Sequence, residues 1–228
     1  MMQNNALNSL IAQLEATGLA DRPGRLLYSG IGTLAPGKVY MLGYNPGGDP
    51  EAEKDSPKAH LAKLASLRPD WNEYMDGVWY PGGRACPAGE APLQRRVQAL
   101  LRGIGLTTRS VLASNLIFVR SRDQVRLDDA LRLVERCWAV HRSLLELTRP
   151  QTILCIGGNT VFDAIVARST ALSSIEQFAA GHGDWKCRAT RVAIGGRTFN
   201  LVSLPHLSRY AVDRHPNVIA WVKKKIAV

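Results

Sequence analysis

The sequence predicts an α/β fold, a three-layer α/β/α sandwich with a central, mostly parallel sheet, formed by residues 1–228 as a single domain. Two observations predict it. Short apolar runs such as "VYMLG", "SVLASNLIFV" and "TILCIGG" lack the polar alternation of a half-solvated strand, so they read as strands buried on both faces. Amphipathic segments of helical period separate them, the order expected when helices cover both sides of a parallel sheet. A chain of 228 residues with 46% apolar and 21% charged residues is long and apolar enough to bury one core, and no repeat or linker divides it.

From the N-terminus, Leu7, Leu10, Ile11 and Leu14 share one face of a helix over 5–16 that Gly18 stops. A strand over 38–43 follows and breaks into the turn Asn45-Pro46-Gly47-Gly48. Ser56 and Pro57 read as cap and first-turn proline of a helix reaching Leu67. Residues 68–89 carry Trp71, Tyr74, Trp79 and Tyr80 among glycines and prolines, an irregular segment long enough to suggest a functional loop. Leu93, Val97, Leu100 and Leu101 mark a helix ending at Gly103 to Gly105, before the strand "SVLASNLIFV". Asp128 is the expected cap of a long helix with Leu131, Val134, Trp138 and Leu145 inward, ended by Pro150. The strand "TILCIGG" turns at Gly157-Gly158 into a helix over 160–167. "CRATRVAI" and "TFNLVSL" read as a β-pair joined through Gly195-Gly196, and Pro216 opens the last helix.

The 29 Lys and Arg against 19 acids give a formal net charge of +10, which favours a polyanionic partner such as nucleic acid over a neutral one. Cys86, Cys137, Cys155 and Cys187 form no C-x-x-C pair, so neither a disulfide framework nor a metal site is expected. With no basic-then-apolar leader and no spanning apolar run, the expectation is a soluble, cytoplasmic protein that meets no membrane.

In a parallel sheet the ligand lies beyond the carboxyl ends of the strands. Those ends read "GYNPGG", "SNLIFVR", "GGNT" and "LPHLSRY". Their order resembles the uracil-DNA glycosylase superfamily, from about Val39 to Tyr210. It has a G-x-N-P-G segment after one strand, an Asn on the next, an "ILCIG"-like strand, and a late strand ending in an H-P-S type loop. "GYNPG" is closest to the single-strand-selective and mismatch-specific branches, and "LLELTRPQTILCIGG" is similar to the family's usual helix-to-strand passage. The chain departs from the pattern at His206-Leu207-Ser208, where the proline is missing, and it lacks the four-cysteine spacing of the iron–sulfur branches.

The resemblance implies an enzyme that hydrolyses the N-glycosidic bond of uracil or a related deaminated base in DNA, a monomer using neither metal nor organic cofactor. Asn45 would hold the attacking water by its amide oxygen, and, because an amide cannot take a proton as a carboxylate does, catalysis would rest on positioning and on the leaving base. Asp49, Glu51, Glu53 and Asp55 read as a solvated acidic loop, with Asp49 near enough to assist that water. Asn115 would read the uracil edge by donating to a carbonyl and accepting from N3–H. His206, with His215 in reserve, would stabilise charge developing on O2. Gly43, Tyr44 and Gly47 would border the base. Gly48, Ser208, Arg209 and Tyr210 would meet DNA, with Tyr210 or Leu207 filling the gap left by the extruded nucleotide, the other reading of Tyr210 being a ring packed against the last helix. Tyr44, Trp79 or Tyr80 would stack on the base. "CIGGNT" is a structural turn in this reading, although its glycines before a helix also suit a phosphate cradle. His60, His141 and His182 read as surface or satisfied residues. The competing expectations are a nucleic-acid-binding protein of the same fold without catalysis, and an enzyme acting on small nucleosides or nucleotides.

Overall fold

The computed structural model describes residues 2–122, 127 and 129–226. In chain order the elements are α1 (Met2–Ala16), β1 (Val39–Gly43), α2 (Pro57–Ser66), α3 (Glu73–Asp76), α4 (Pro92–Gly103), β2 (Leu112–Asn115) and α5 (Ala130–Thr148). They continue with β3 (Thr152–Cys155), α6 (Asn159–Val166), β4 (Thr170–Ala171), β5 (Glu176–Ala179), β6 (Lys186–Ile194), β7 (Arg197–Ser203) and α7 (Pro216–Lys225).

Among the described residues the strands form one sheet in the order β2-β1-β3-β7-β6-β4, with β5 also on β6. β2, β1, β3 and β7 run parallel, and the far side is an antiparallel extension built on β6. Every residue of β1, β2 and β3 is buried, which is why these stretches are apolar without alternation. The side chains still alternate between faces. Tyr40 and Leu42 join a core with residues of α1, α2, α5 and α6, whereas Val39 and Met41 join a second core with α4 and α7. Helices thus cover both faces of a mostly parallel sheet.

Local chemistry sets several boundaries. The Ser56 side chain accepts the Ala59 N–H at 3.2 Å ahead of Pro57, so α2 starts where its cap predicts. Gly195 and Gly196, at φ 56° and 77°, make the tight β6–β7 turn that residues with a Cβ disfavour. The expected Asp128 cap of α5 lies outside the described residues. The apolar run after β2 does not extend the ladder to Val119. At 116 and 117 the main-chain N–H groups turn to Gly43 and Tyr44 carbonyls, and Arg25 pairs with Phe118. Residues 68–89 are not wholly irregular, since Asn72 caps the single turn α3 by accepting the Tyr74 N–H at 2.9 Å.

No helix among the described residues is long and apolar enough to cross a membrane. No group of three or more His, Cys, Asp or Glu among them could hold a metal ion.

Candidate active site at the carboxyl edge of the sheet

Parallel register brings the strand ends to one level. Gly43 faces Asn115, Leu42 faces Cys155, and Cys155 faces Ser203. The segments following β1, β2, β3 and β7 therefore leave the sheet side by side. Missing side chains let them touch. A Cβ on Gly43 would lie 2.0 Å from Asn115 Oδ1, and one on Gly157 would lie 2.6 Å from the Tyr44 nitrogen. A Cβ on Gly158 would be 3.6 Å from the His206 nitrogen. The sequence-predicted residues Asn45, Asn115 and His206 thus stand at one edge, Asn45 and Asn115 at the ends of the paired strands β1 and β2 and His206 after β7, across the end of β3.

Asn45 is fixed by its amide nitrogen. Nδ2 donates to Ser121 Oγ at 2.8 Å, to the Pro46 carbonyl at 3.0 Å and to the Val119 carbonyl at 3.4 Å. The carbonyl oxygen Oδ1 accepts nothing from the described residues, so it is left for a water or ligand. The turn is secured from the side by Arg120, which is buried, donates from Nη1 to the Gly47 carbonyl and pairs with Glu53 at 2.9 Å. Gly48 sits at φ 109°, and a Cβ there would come within 2.2 Å of Glu53 Oε1 and 2.8 Å of Arg120 Nη1. Gly47 is exposed and has open space around it. Asp49 does not stand ready as a base. Its carboxylate accepts from Arg122 at 2.6 Å and from the Glu51 N–H at 3.0 Å, which hold its pKa below the usual range.

Asn115 is 5% exposed, its oxygen filling the space that Gly43 leaves. Its side chain is hydrogen-bonded to the Tyr28 hydroxyl. Burial raises the Tyr28 pKa, while Arg25, Arg120 and a hydrogen bond with Asn115 act against the rise. Tyr28 stacks on Tyr74 at 5.6 Å and meets the edge of Trp79 at 6.2 Å. Behind these rings Glu73 pairs with Arg25 at 3.0 Å and His60 at 3.1 Å and accepts from Trp79 Nε1 at 3.3 Å. Burial alone would raise the Glu73 carboxyl, but the His60 hydrogen bond and the Arg25 charge hold it at about 2.

His206 is held in a defined tautomer. Nδ1 accepts the Ser208 main-chain N–H at 3.2 Å and lies 2.7 Å from Ser208 Oγ. A nitrogen that accepts an amide proton carries none itself, so in the neutral ring Nε2 bears the hydrogen and is a donor. Burial, then the Arg209 charge, lowers the His206 pKa and favours that neutral form. The Leu207 N–H donates to the Ile156 carbonyl at 3.2 Å, a bond that proline at this position would not make. Arg96 of α4 clamps the turn by donating to the carbonyls of Leu207 at 2.8 Å and Ser208 at 2.7 Å.

Other expectations are corrected. Tyr210 does not reach out to DNA. It is 1% exposed, donates its hydroxyl to the Ala180 carbonyl at 2.5 Å and stacks on His215 at 4.7 Å. Leu207 is fully buried, so it is no wedge either. The Tyr44 ring packs in the α1-side core, where burial raises its pKa, and only its main chain borders Gly157. Trp79 is occupied with Glu73, and Tyr80 is exposed with no ring partner among the described residues. His215 stacks on Tyr210, and a Cβ on Gly181 would lie 3.1 Å from its Nδ1. His60 and His141 are buried and hydrogen-bonded. Ser208 and Arg209 are exposed beside His206, and Arg209 has no ion pair among the described residues.

Sequence reasoning missed Arg96, Arg120, Tyr28 and the Glu73 cluster. Only Glu73 left a trace, as an acid set among four aromatics in an otherwise irregular stretch. A cleft of about 220 Å³ bordered by Gly32, Thr33, Ser110 and Thr148 lies at the opposite edge, by the amino ends of β1 and β2. Its one charged group, Arg109, is already bound to Asp76 at 2.6 Å.

No family model matches the chain, and no curated protein is significantly similar to it.

Proposed function

We propose that the protein is a DNA glycosylase of the uracil-DNA glycosylase-like α/β/α fold, hydrolysing the N-glycosidic bond of uracil or a related deaminated base. The observation that carries this reading is the placement of Asn45, Asn115 and His206 on the ends of β1, β2 and β7 at one sheet edge, with Asn45 Oδ1 and His206 Nε2 both without a partner among the described residues. Cleaving an N-glycosidic bond leaves positive charge on the sugar and negative charge on the departing base. Asn45 Oδ1 orients a water toward the sugar carbon, its own nitrogen immobilised by Ser121. The neutral His206 donates from Nε2 to the pyrimidine O2 as charge builds there, and its lowered pKa favours that uncharged donor over the imidazolium. Asn115 carries the donor and acceptor that a uracil edge matches and that cytosine reverses, and a bound base would have to compete with Tyr28 for its side chain.

The reading takes DNA as the partner of a monomeric, cytoplasmic protein, in keeping with the net charge of +10. Sedimentation of the purified chain tests the monomer.

The deciding assay places uracil in single-stranded, U·G and U·A oligonucleotides and cleaves abasic products with alkali. Asn45→Ala and His206→Ala should each lower excision about 10²–10³-fold without unfolding, the size of losing one positioned group at a developing charge. Full activity in both variants refutes the assignment. Salt-sensitive binding with no abasic product in the wild type would instead establish the non-catalytic binding protein.

A further inference from the structure

β5 and β6 form a hairpin that the sequence does not announce, and its tip overhangs the candidate site. Arg188 of β6 faces Ser203 at the end of β7, so the chain before Arg188 projects past the carboxyl edge, toward the turn that bears His206. Ala179 and Lys186 close the ladder, leaving Ala180 to Trp185 as the tip. This tip is built, not merely long. The Ala180 N–H bonds to the Trp185 carbonyl at 2.9 Å, the Trp185 N–H to His182 at 3.2 Å, and Gly181 and Gly183 take φ of 72° and 51°.

It is also anchored to the site. Tyr210, whose N–H bonds the His206 carbonyl at 3.1 Å, donates its hydroxyl to Ala180 and lies 6.3 Å from the Trp185 ring. Despite these contacts Trp185 stays 37% exposed, with the His182 ring 4.6 Å away. The contrast with Phe178 of the same hairpin is direct, since that ring is stacked on Trp221 at 5.4 Å. Exposed cations lie on the segments that meet the tip. Lys186, Arg209 and Arg214 have no ion pair among the described residues, and Arg96 is satisfied by carbonyls only. The acids on these segments are Asp184 and Asp213.

We propose that the hairpin tip is a DNA-docking element in which Trp185 stacks on a base next to the nucleotide at the site, while Lys186, Arg209 and Arg214 receive the flanking phosphates. It takes the role that the buried Tyr210 and Leu207 do not fill. An exposed ring on a hydrogen-bonded tip, with unpaired cations on the tip and on the segments it meets, is the combination that single-stranded nucleic acid recognises, one part by stacking and the other by charge. The proposal rests on the glycosylase reading for the direction of the strand; the docking itself does not need catalysis.

The test uses the full chain and a uracil-free single-stranded oligonucleotide of about twelve nucleotides. Trp185→Ala should weaken binding about 5- to 150-fold, the range for losing one stacked base. Trp185→Phe keeps a ring and should stay within a few-fold of wild type. Quenching of tryptophan emission on binding should disappear in Trp185→Phe even though the variant still binds, a signature that a purely structural tryptophan would not give. Unchanged affinity in Trp185→Ala, quenching that survives in Trp185→Phe, or no oligonucleotide binding by the wild type overturns the proposal. Uracil excision by all three proteins with equal binding would remove the docking element and leave the glycosylase. Lost binding in Trp185→Ala with no excision by any of them would do the reverse.

Discussion

The turns after β1 and β7 carry the two groups proposed for catalysis, and each is pinned through its carbonyls by an arginine from elsewhere in the chain. Arg120 grips Gly47 and is itself paired with Glu53, whereas Arg96 grips Leu207 and Ser208 with no carboxylate beside it among the described residues. The first clamp is close to electrically neutral and holds the loop proposed to orient a water. The second leaves positive charge near the loop where the departing base would gather negative charge. One edge of the sheet thus separates a holding function from a holding-and-charge function.

The sharpest way to break this comparison lies within the first turn. Gly48→Ala should cost about 2–4 kcal/mol, because the new methyl meets Glu53 and Arg120 at a strained backbone angle. Gly47→Ala, with nothing near its added carbon, should stay within about 0.5 kcal/mol. Urea denaturation of the two neighbours decides it, and equal midpoints would show that the Arg120 clamp does not constrain this turn.

Next come the arginines themselves. Arg120→Met should lose about 2–3 kcal/mol, since it strips a buried donor from Gly47, although half-exposed Glu53 recovers solvation. Arg96→Met should cost only about 1–2 kcal/mol yet reduce uracil excision roughly tenfold, because the His206 turn loosens and a nearby charge is lost. The two roles would merge if both variants lost stability and turnover in the same proportion.

The smallest effect concerns pH. His206 is held below the ordinary histidine range first by burial and then by Arg209. The unfolded chain therefore binds the proton more readily, so the stability that His206 contributes is present above the ordinary histidine pKa and is lost as pH falls below it. Excision should fail on the same acid side, where imidazolium can no longer accept from Ser208. Arg209→Gln removes one of the two causes, so the acid limb of the pH–rate profile should move upward. A limb that stays in place would show that Arg209 is too well solvated to act on the ring.

The sequence announced those parts of the molecule whose causes are local. β1 and β3 were visible because strands buried on both faces need unbroken apolar runs. The Ser56 cap and the Gly195-Gly196 turn were visible because they depend on adjacent residues. β4 and β5 were not, since their mostly exposed residues carry neither alternation nor a run. Asn45 and His206 stood out as polar groups set in turn chemistry at strand ends. Tyr210 was misread because a ring just past a turn can face either way, and only the hairpin above it settles the direction. Arg96 resembles any solvated residue on an amphipathic helix, and the carbonyl it holds lies 111 positions away in the chain.

The bond from the Leu207 N–H to the Ile156 carbonyl replaces a ring constraint with an exchangeable hydrogen. Each time the imidazole's mount lifts away from the end of β3, that hydrogen is offered to solvent, and each time it settles the hydrogen is hidden again. Deuterium uptake at this one amide is therefore a clock for how often the histidine leaves its post.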